Sequence, residues 1–205
     1  MNVEVAFVGD VHGNVDALRG LCDLLKSRGV PHMVFLGDYI NKGPQSAAVM
    51  RELLAQSGAG RATLLAGNHE SVLLEAFNAE DLTAFLKMGG AMTIRSYVKG
   101  RVGADVFREF KASFPSEHLE ALQRMPQTYE TDELIAQHLP PPLSAKKFRI
   151  SGHLPVGELP RVGRNFAQLD TGCGDASGRL SALLWPSTAA AVRDHGWSSR
   201  LSRRV

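Results

Sequence analysis

The chain has 205 residues, the length of one domain able to bury its own core. Apolar residues make up 44% and charged residues 21%, a balance that excludes a disordered chain. The net charge of +2 is too mild to argue for nucleic acid or a membrane surface, and no apolar run approaches the roughly 20 residues of a membrane span.

The N-terminus runs almost directly into a strand pattern without a signal peptide, so a cytoplasmic monomer is expected, with no nucleic-acid or membrane partner. The two cysteines, Cys22 and Cys173, lack metal-ligand spacing and are expected as structural thiols.

The first apolar run, residues 5–8, reads as a parallel strand buried on both faces and ends in Gly9-Asp10-Val11-His12-Gly13-Asn14. Residues 16–28 follow as a helix with Leu18, Leu21, Cys22 and Leu25 on one face. A second strand, residues 32–36, ends in Gly37-Asp38-Tyr39-Ile40-Asn41-Lys42-Gly43-Pro44, and Pro44 opens a helix to about residue 56. A third, residues 62–66, ends in Gly67-Asn68-His69-Glu70 and leads into a helix to about residue 77.

Strand, polar loop and helix thus recur three times, which implies a βαβ core. Ligands in such sheets sit at the carboxyl ends of the strands. Those ends carry Asp10 and His12, then Asp38, then Asn68 and His69, each beside a glycine that lets backbone approach a ligand closely.

Residues 80–125 read as a helical cap, with helices over 81–88, 104–114 and 117–125. Sheet returns from residue 127, with strands at 128–131, 134–138, 148–153, 165–170 and 180–185. The stretch from Leu139 through Pro140, Pro141 and Pro142 to Leu143 is a surface loop. From residue 189 the composition suggests a short helix and a frayed basic end carrying Arg200, Arg203 and Arg204. The organisation expected is one domain over 1–188 and a basic tail over 189–205.

Two aspartates, one asparagine and histidines without thiolates suit manganese foremost, with iron or zinc as alternatives. Two cations a few ångströms apart need a shared ligand, and Asp38 on the middle strand is the natural bridge. A paired site of this kind supplies hydroxide at neutral pH and neutralises phosphoryl oxygens, the chemistry of phosphoester hydrolysis.

These three blocks resemble the signatures of the calcineurin-like metallophosphoesterases, and within them the phosphoprotein phosphatases of the small bacterial serine/threonine type. The likeness continues through Gly89-Gly90 with Thr93 to Tyr97, through His138, through Ser151-Gly152-His153 and through Leu169-Asp170-Thr171-Gly172-Cys173. The resemblance implies an α/β (α+β four-layer) fold, a central β-sandwich of two mixed sheets flanked by helices, with a dimetal site at strand carboxyl ends.

It also implies roles. Asp10 and His12 would bind one metal, Asp38 would bridge, and Asn68, His138 and His153 would bind the second. His69 would protonate the leaving oxygen, and attack by a metal-bridging hydroxide would leave no phosphoenzyme. The implied substrates are phosphoproteins or small phosphoesters. A dinucleoside tetraphosphatase-like hydrolase and a weakly active or non-catalytic metal-binding module are the alternatives.

The sequence departs from the family pattern at three places. Asn41 stands where the family usually has Asp beside the catalytic histidine; Asn is expected to accept the same hydrogen bond without the charge. Lys42 stands for the usual phosphate-binding Arg and cannot grip phosphate bidentately, and Asn68 is expected to share the phosphate. The prolines after His138 shorten the segment that carries a further arginine, leaving Lys146, Lys147 or Arg149 as substitutes. His32, His118 and His195 match no block and are expected to be structural or exposed.

Overall fold

A computed structural model of the protein describes residues 4–142, 146–193 and 199–202. Leu143, His195, Arg203 and Arg204 lie outside the described residues, as does the Arg200 side chain. The first part alternates as expected: Val5–Val8 (β1), Val15–Ser27 (α1), His32–Phe35 (β2), Ser46–Gly58 (α2), Ala62–Leu64 (β3) and Asn68–Ala79 (α3). Asn14 caps α1 by accepting from the Ala17 N–H at 3.0 Å.

The cap holds Thr83–Lys87 (α4), Gly90–Tyr97 (α5), Val106–Ser113 (α6) and Ser116–Arg124 (α7). The remaining strands are Thr128–Glu130 (β4), Leu134–Gln137 (β5), Phe148–Ser151 (β6), Arg161–Val162 (β7), Phe166–Gln168 (β8), Leu180–Trp185 (β9), Ala189–Arg193 (β10) and Ser199–Ser202 (β11).

They form two mixed sheets flanked by helices. One runs β11-β10-β9-β1-β2-β3, with β1, β2 and β3 parallel; the other runs β4-β5-β6-β8-β7, with β5, β6 and β8 parallel. Alternation along β1 and β2 explains the sandwich. Ala6, Val8, Met33 and Phe35 face the helices, while Phe7, Val34 and Leu36 meet Leu134, Ala136, Ile150 and Ala167 of the second sheet. Continuous apolar runs are what such doubly covered strands require.

Two expectations are corrected. Ala189–Arg193 and Ser199–Ser202 form β10 and β11, antiparallel additions to the first sheet, not a short helix and tail. The alanine run favours helix by propensity, but pairing with β9 overrides it. The cap has a fourth helix, α5, because Gly89 turns the chain at φ +83° and the helix restarts at Gly90 instead of ending there. The short edge strand β7 has no apolar alternation and was not expected.

The cap is held by an aromatic cluster of Phe77, Phe85, Tyr97, Phe110 and Phe114, with Phe110 fully buried at its centre. Its ring lies 5.2 Å from Phe77 and 5.7 Å from Phe114, centroid to centroid. Phe110→Ala is expected to destabilise the protein by about 3–5 kcal/mol, read as a lowered midpoint in urea unfolding.

Candidate metal centre

The carboxyl ends of β1, β2 and β3 lie on one edge of the first sheet, and those of β5 and β6 on the adjoining edge of the second. Asp10, His12, Asp38, His69 and His138 converge there and are buried, Asn68 and His153 half-buried. His12, Asp38, Asn41, Lys42 and His153 all have positive φ, between 45° and 70°. Such backbone is costly for residues with a Cβ and marks sites where the surroundings impose geometry.

Glu70 imposes much of it. Its fully buried carboxylate accepts from the backbone N–H groups of Asp38 (2.8 Å), Tyr39 (2.9 Å), Ile40 (3.3 Å) and Gly67 (3.0 Å). One side chain at the start of α3 therefore ties the loop after β2 to the loop after β3. Two glycines permit the close approach. A Cβ at Gly67 would sit 2.3 Å from Asp38 Oδ1, and one at Gly152 would sit 2.2 Å from Asp10 Oδ1.

Asp38 stands between two groups of donors. Its Oδ2 lies 3.7 Å from His12 Nε2 and 3.6 Å from His69 Nε2; its Oδ1 lies 3.4 Å from His138 Nε2. On the first side Asp10 Oδ2 is 3.8 Å from His12 Nε2. On the second, Asn68 Oδ1 is 2.7 Å from His138 Nε2 and 3.0 Å from His153 Nδ1. The Asp10 carboxylate also accepts from the His153 N–H at 3.1 Å, joining the two halves.

The ring orientations fit metal ligation. His12 Nδ1 donates to the Ile40 carbonyl at 3.0 Å and His138 Nδ1 to the Leu36 carbonyl at 3.1 Å. Each Nε2 therefore presents a lone pair inward when the ring is neutral. Burial holds both rings neutral, pushing each down to about 3; the Lys42 charge adds to this for His12, and the His153 charge for His138. Lone pairs of His138 Nε2 and Asn68 Oδ1 then face each other at 2.7 Å with no proton between them. A cation resolves that conflict.

The carboxylates say the same. Burial first, then the negative charges of Glu70 and Asp10, push Asp38 up to about 9, and burial with Asp170 raises Asp10. Divalent cations would supply the charge that these buried acids lack.

Not every expectation holds. Asn41 does not accept from His69: its Nδ2 donates to His69 Nδ1 at 2.7 Å, because its Oδ1 is taken by the Thr93 hydroxyl at 2.7 Å. Lys147 does not serve as a substitute phosphate ligand, since its Nζ donates to Glu130 Oε1 (3.0 Å) and the Thr131 carbonyl (2.6 Å). Arg149 lines a separate cavity of ≈ 220 Å³ with Pro140, Pro141, Ser151 and Arg161, none of them a donor of the cluster. Lys146 is exposed.

Lys42 does reach the site, where its charge lowers the proton affinity of Asp10, Asp38, His12 and His69. His32 bonds Thr63 Oγ1 at 2.9 Å and His118 bonds the Tyr97 hydroxyl at 2.8 Å, both structural as expected. Both cysteines are free and buried. An open hollow of ≈ 520 Å³ on the cap, between Glu80 and Phe107, holds no part of the donor cluster, so chemistry rather than cavity size locates the site.

Three contributors went unread in the sequence: Glu70 as the loop clamp, and Ser46 and Thr93 behind Asn41. An acid at the third position of a helix is a capping signal that points to Glu70. Nothing local links Thr93 to Asn41, 52 positions away.

Fold and donor set together fit a phosphoesterase-type metal centre. The chain belongs to the calcineurin-like phosphoesterase family, whose model matches residues 3–182. A zinc-dependent endopolyphosphatase of Saccharomyces cerevisiae is 36% identical over 96 residues, 45% of this chain and 28% of that protein. Serine/threonine-protein phosphatase 2 of Escherichia coli K12 is 38% identical over 84 residues, 40% of this chain and 37% of that protein. The chain thus matches well under half the length of either relative.

Among solved structures, a candidate diadenosine tetraphosphatase superposes with a TM-score of 0.66 at 19% identity, covering 97% of this chain and 96% of that one. A metallophosphoesterase from Sphaerobacter thermophilus gives 0.54 at 15% identity, covering 97% and 89%. These likenesses establish the fold. Members of the family use divalent metals, and two groups that share Asp38, one with His12 and His69 and one with His138 and His153, have donor atoms close enough to hold them.

Glu70→Ala leaves four backbone N–H groups without their acceptor. It is expected to destabilise the protein by on the order of 3 kcal/mol and to weaken metal binding about 10–100-fold. Thermal melts and zinc titration calorimetry read the two effects.

Proposed function

We propose that the protein is a metal-dependent phosphomonoester hydrolase, with phosphoserine and phosphothreonine side chains of proteins as its leading substrates. The observation that carries the hydrolase reading is the position of Asp38 between two sets of inward-facing donors. The stretch shared with the bacterial serine/threonine phosphatase supports the choice of substrate. In this reading Asp10, His12 and Asp38 hold one divalent cation, and Asp38, Asn68, His138 and His153 hold the other. Bound cations supply activated water and neutralise phosphoryl charge. Manganese is the first choice, with iron or zinc as alternatives. In this reading the protein works as a cytoplasmic monomer.

The chain's own groups do the rest. His12 and His138 are fixed by the Ile40 and Leu36 carbonyls so that neither ring must turn to bind. Lys42, on a left-handed loop beside the cluster, offers a positive charge to a phosphoryl oxygen. Asn68 Oδ1 is taken up by the second donor set, leaving its amide group for the substrate phosphate. His69 Nε2 faces the space over Asp38 and meets the leaving oxygen there.

A second reading, hydrolysis of a phosphoanhydride such as a dinucleoside tetraphosphate, is favoured by Asn41. Anhydride leaving groups need less help from an acid than serine does. Turnover of phosphopeptide against dinucleoside tetraphosphate and inorganic polyphosphate on the manganese-loaded protein separates the readings.

His69→Asn is expected to lower kcat for an aryl phosphate by about 10²–10⁴-fold while metal content stays at two per chain by elemental analysis. Loss of metal in that variant would make His69 a ligand instead. Metal binding without any phosphoester turnover, from neutral to alkaline pH, would leave the protein a binding module.

A further inference from the structure

The histidines of the centre differ in what stands behind them. His12 and His138 have a carbonyl at Nδ1, which fixes the proton there and leaves Nε2 bare. His69 has the Asn41 amide nitrogen at Nδ1, 2.7 Å away. An amide nitrogen can only donate. In the neutral ring Nδ1 must therefore be the acceptor and Nε2 must carry the proton.

The direction of that bond is set by buried hydroxyls on two other elements. The Asn41 backbone N–H donates to Thr93 Oγ1 at 2.8 Å and to Ser46 Oγ at 3.3 Å. Ser46 Oγ and Thr93 Oγ1 are 3.0 Å apart, and Thr93 Oγ1 lies 2.7 Å from Asn41 Oδ1. Ser46, Asn41 and Thr93 are all fully buried.

With the proton order Ser46 to Thr93 to Asn41 to His69, every hydroxyl hydrogen has an acceptor. Turning the amide over would make Thr93 accept from both Asn41 nitrogens and donate to Ser46. The Ser46 hydroxyl hydrogen would then have no acceptor among the described residues. A buried unmet donor costs more than the bond it replaces gains.

We infer that Ser46, Thr93 and Asn41 form a one-way hydrogen-bond chain that fixes His69 as its Nε2–H tautomer. His69 is thereby a hydrogen-bond donor to substrate rather than a metal ligand or a proton-releasing acid. Thr93 and Asn41 act as positioning residues through His69. This deepens the hydrolase reading and rests on it only for its kinetic consequence.

In hydrolysis a water oxygen forms the new P–O bond and the ester P–O bond breaks. The electron pair leaves with the ester oxygen, which takes a proton from solvent once free, and the proton from the attacking water passes to solvent. Nε2–H stabilises the departing oxygen without surrendering its hydrogen, because a neutral imidazole is a very weak acid. The rate then depends steeply on the acidity of the leaving group, so phosphoserine and phosphothreonine, the leading substrates, turn over more slowly than an aryl ester at the same site.

The test is long-range proton–nitrogen NMR of zinc-loaded, histidine-labelled protein, with leaving-group kinetics beside it. The wild type is expected to show a bare Nδ1 and a protonated Nε2 at His69. Asn41→Asp should move the proton to Nδ1. It should also raise the alkyl-to-aryl rate ratio about tenfold or more across graded phosphate esters. Thr93→Val should lose the single tautomer and Thr93→Ser restore it, with unchanged melting temperatures confirming that both fold.

A protonated Nδ1 or a zinc-bound Nε2 at wild-type His69 overturns the chain. An unchanged rate ratio in Asn41→Asp overturns its kinetic consequence. Absence of all phosphoester turnover would refute the hydrolase reading and leave the NMR result to decide the tautomer.

Discussion

The structure depends on one buried carboxylate with four backbone partners. Glu70 lies at the start of α3 and reaches back to the N–H groups of Asp38, Tyr39, Ile40 and Gly67. Without it those donors, buried beneath the loops, would face one another unmet. Through this clamp Asp38 is held in left-handed backbone at φ 56° and turned toward both donor sets. The Tyr39 hydroxyl, donating to the Leu65 carbonyl at 2.6 Å, ties the same two loops a layer deeper. The site is thus set by backbone contacts between loops, which side-chain identity alone does not reveal.

The donor set behaves as a place for charge that the protein itself lacks. Buried acids at Asp10 and Asp38 take up protons readily, while buried imidazoles at His12 and His138 shed theirs. Acids that resist losing their protons and rings that resist gaining one, with their oxygen and nitrogen atoms 2.7–3.8 Å apart, mark a place short of positive charge. Divalent cations complement both. His69 lies within the same cluster but has a different partner behind it, which separates its role from those of its neighbours.

Much of this was legible in the sequence. Strand, loop and helix recurred with apolar runs of the right length, so the parallel core and its carboxyl-end residues followed from periodicity and turn chemistry. His138 and His153, 15 residues apart, could be joined to the first three blocks only through resemblance, and the structure brings their rings to 5.0 Å. What escaped was non-local. The alanine-rich segment from Ala189 has helical propensity, and only pairing with Leu180–Trp185 makes it a strand. The direction of the Asn41 hydrogen bond depends on Thr93, which no spacing rule connects to it. Family pattern suggested that Asn41 would accept; a hydroxyl from α5 makes it donate.

Two cations sharing Asp38 is the arrangement from which every proposed role follows. Anomalous diffraction from a crystal of the protein grown with manganese tests it most directly. Two peaks are expected on either side of the Asp38 carboxylate, one bordered by Asp10 and His12, the other by Asn68, His138 and His153. A single peak that does not touch Asp38, or no peak among these side chains, would contradict it.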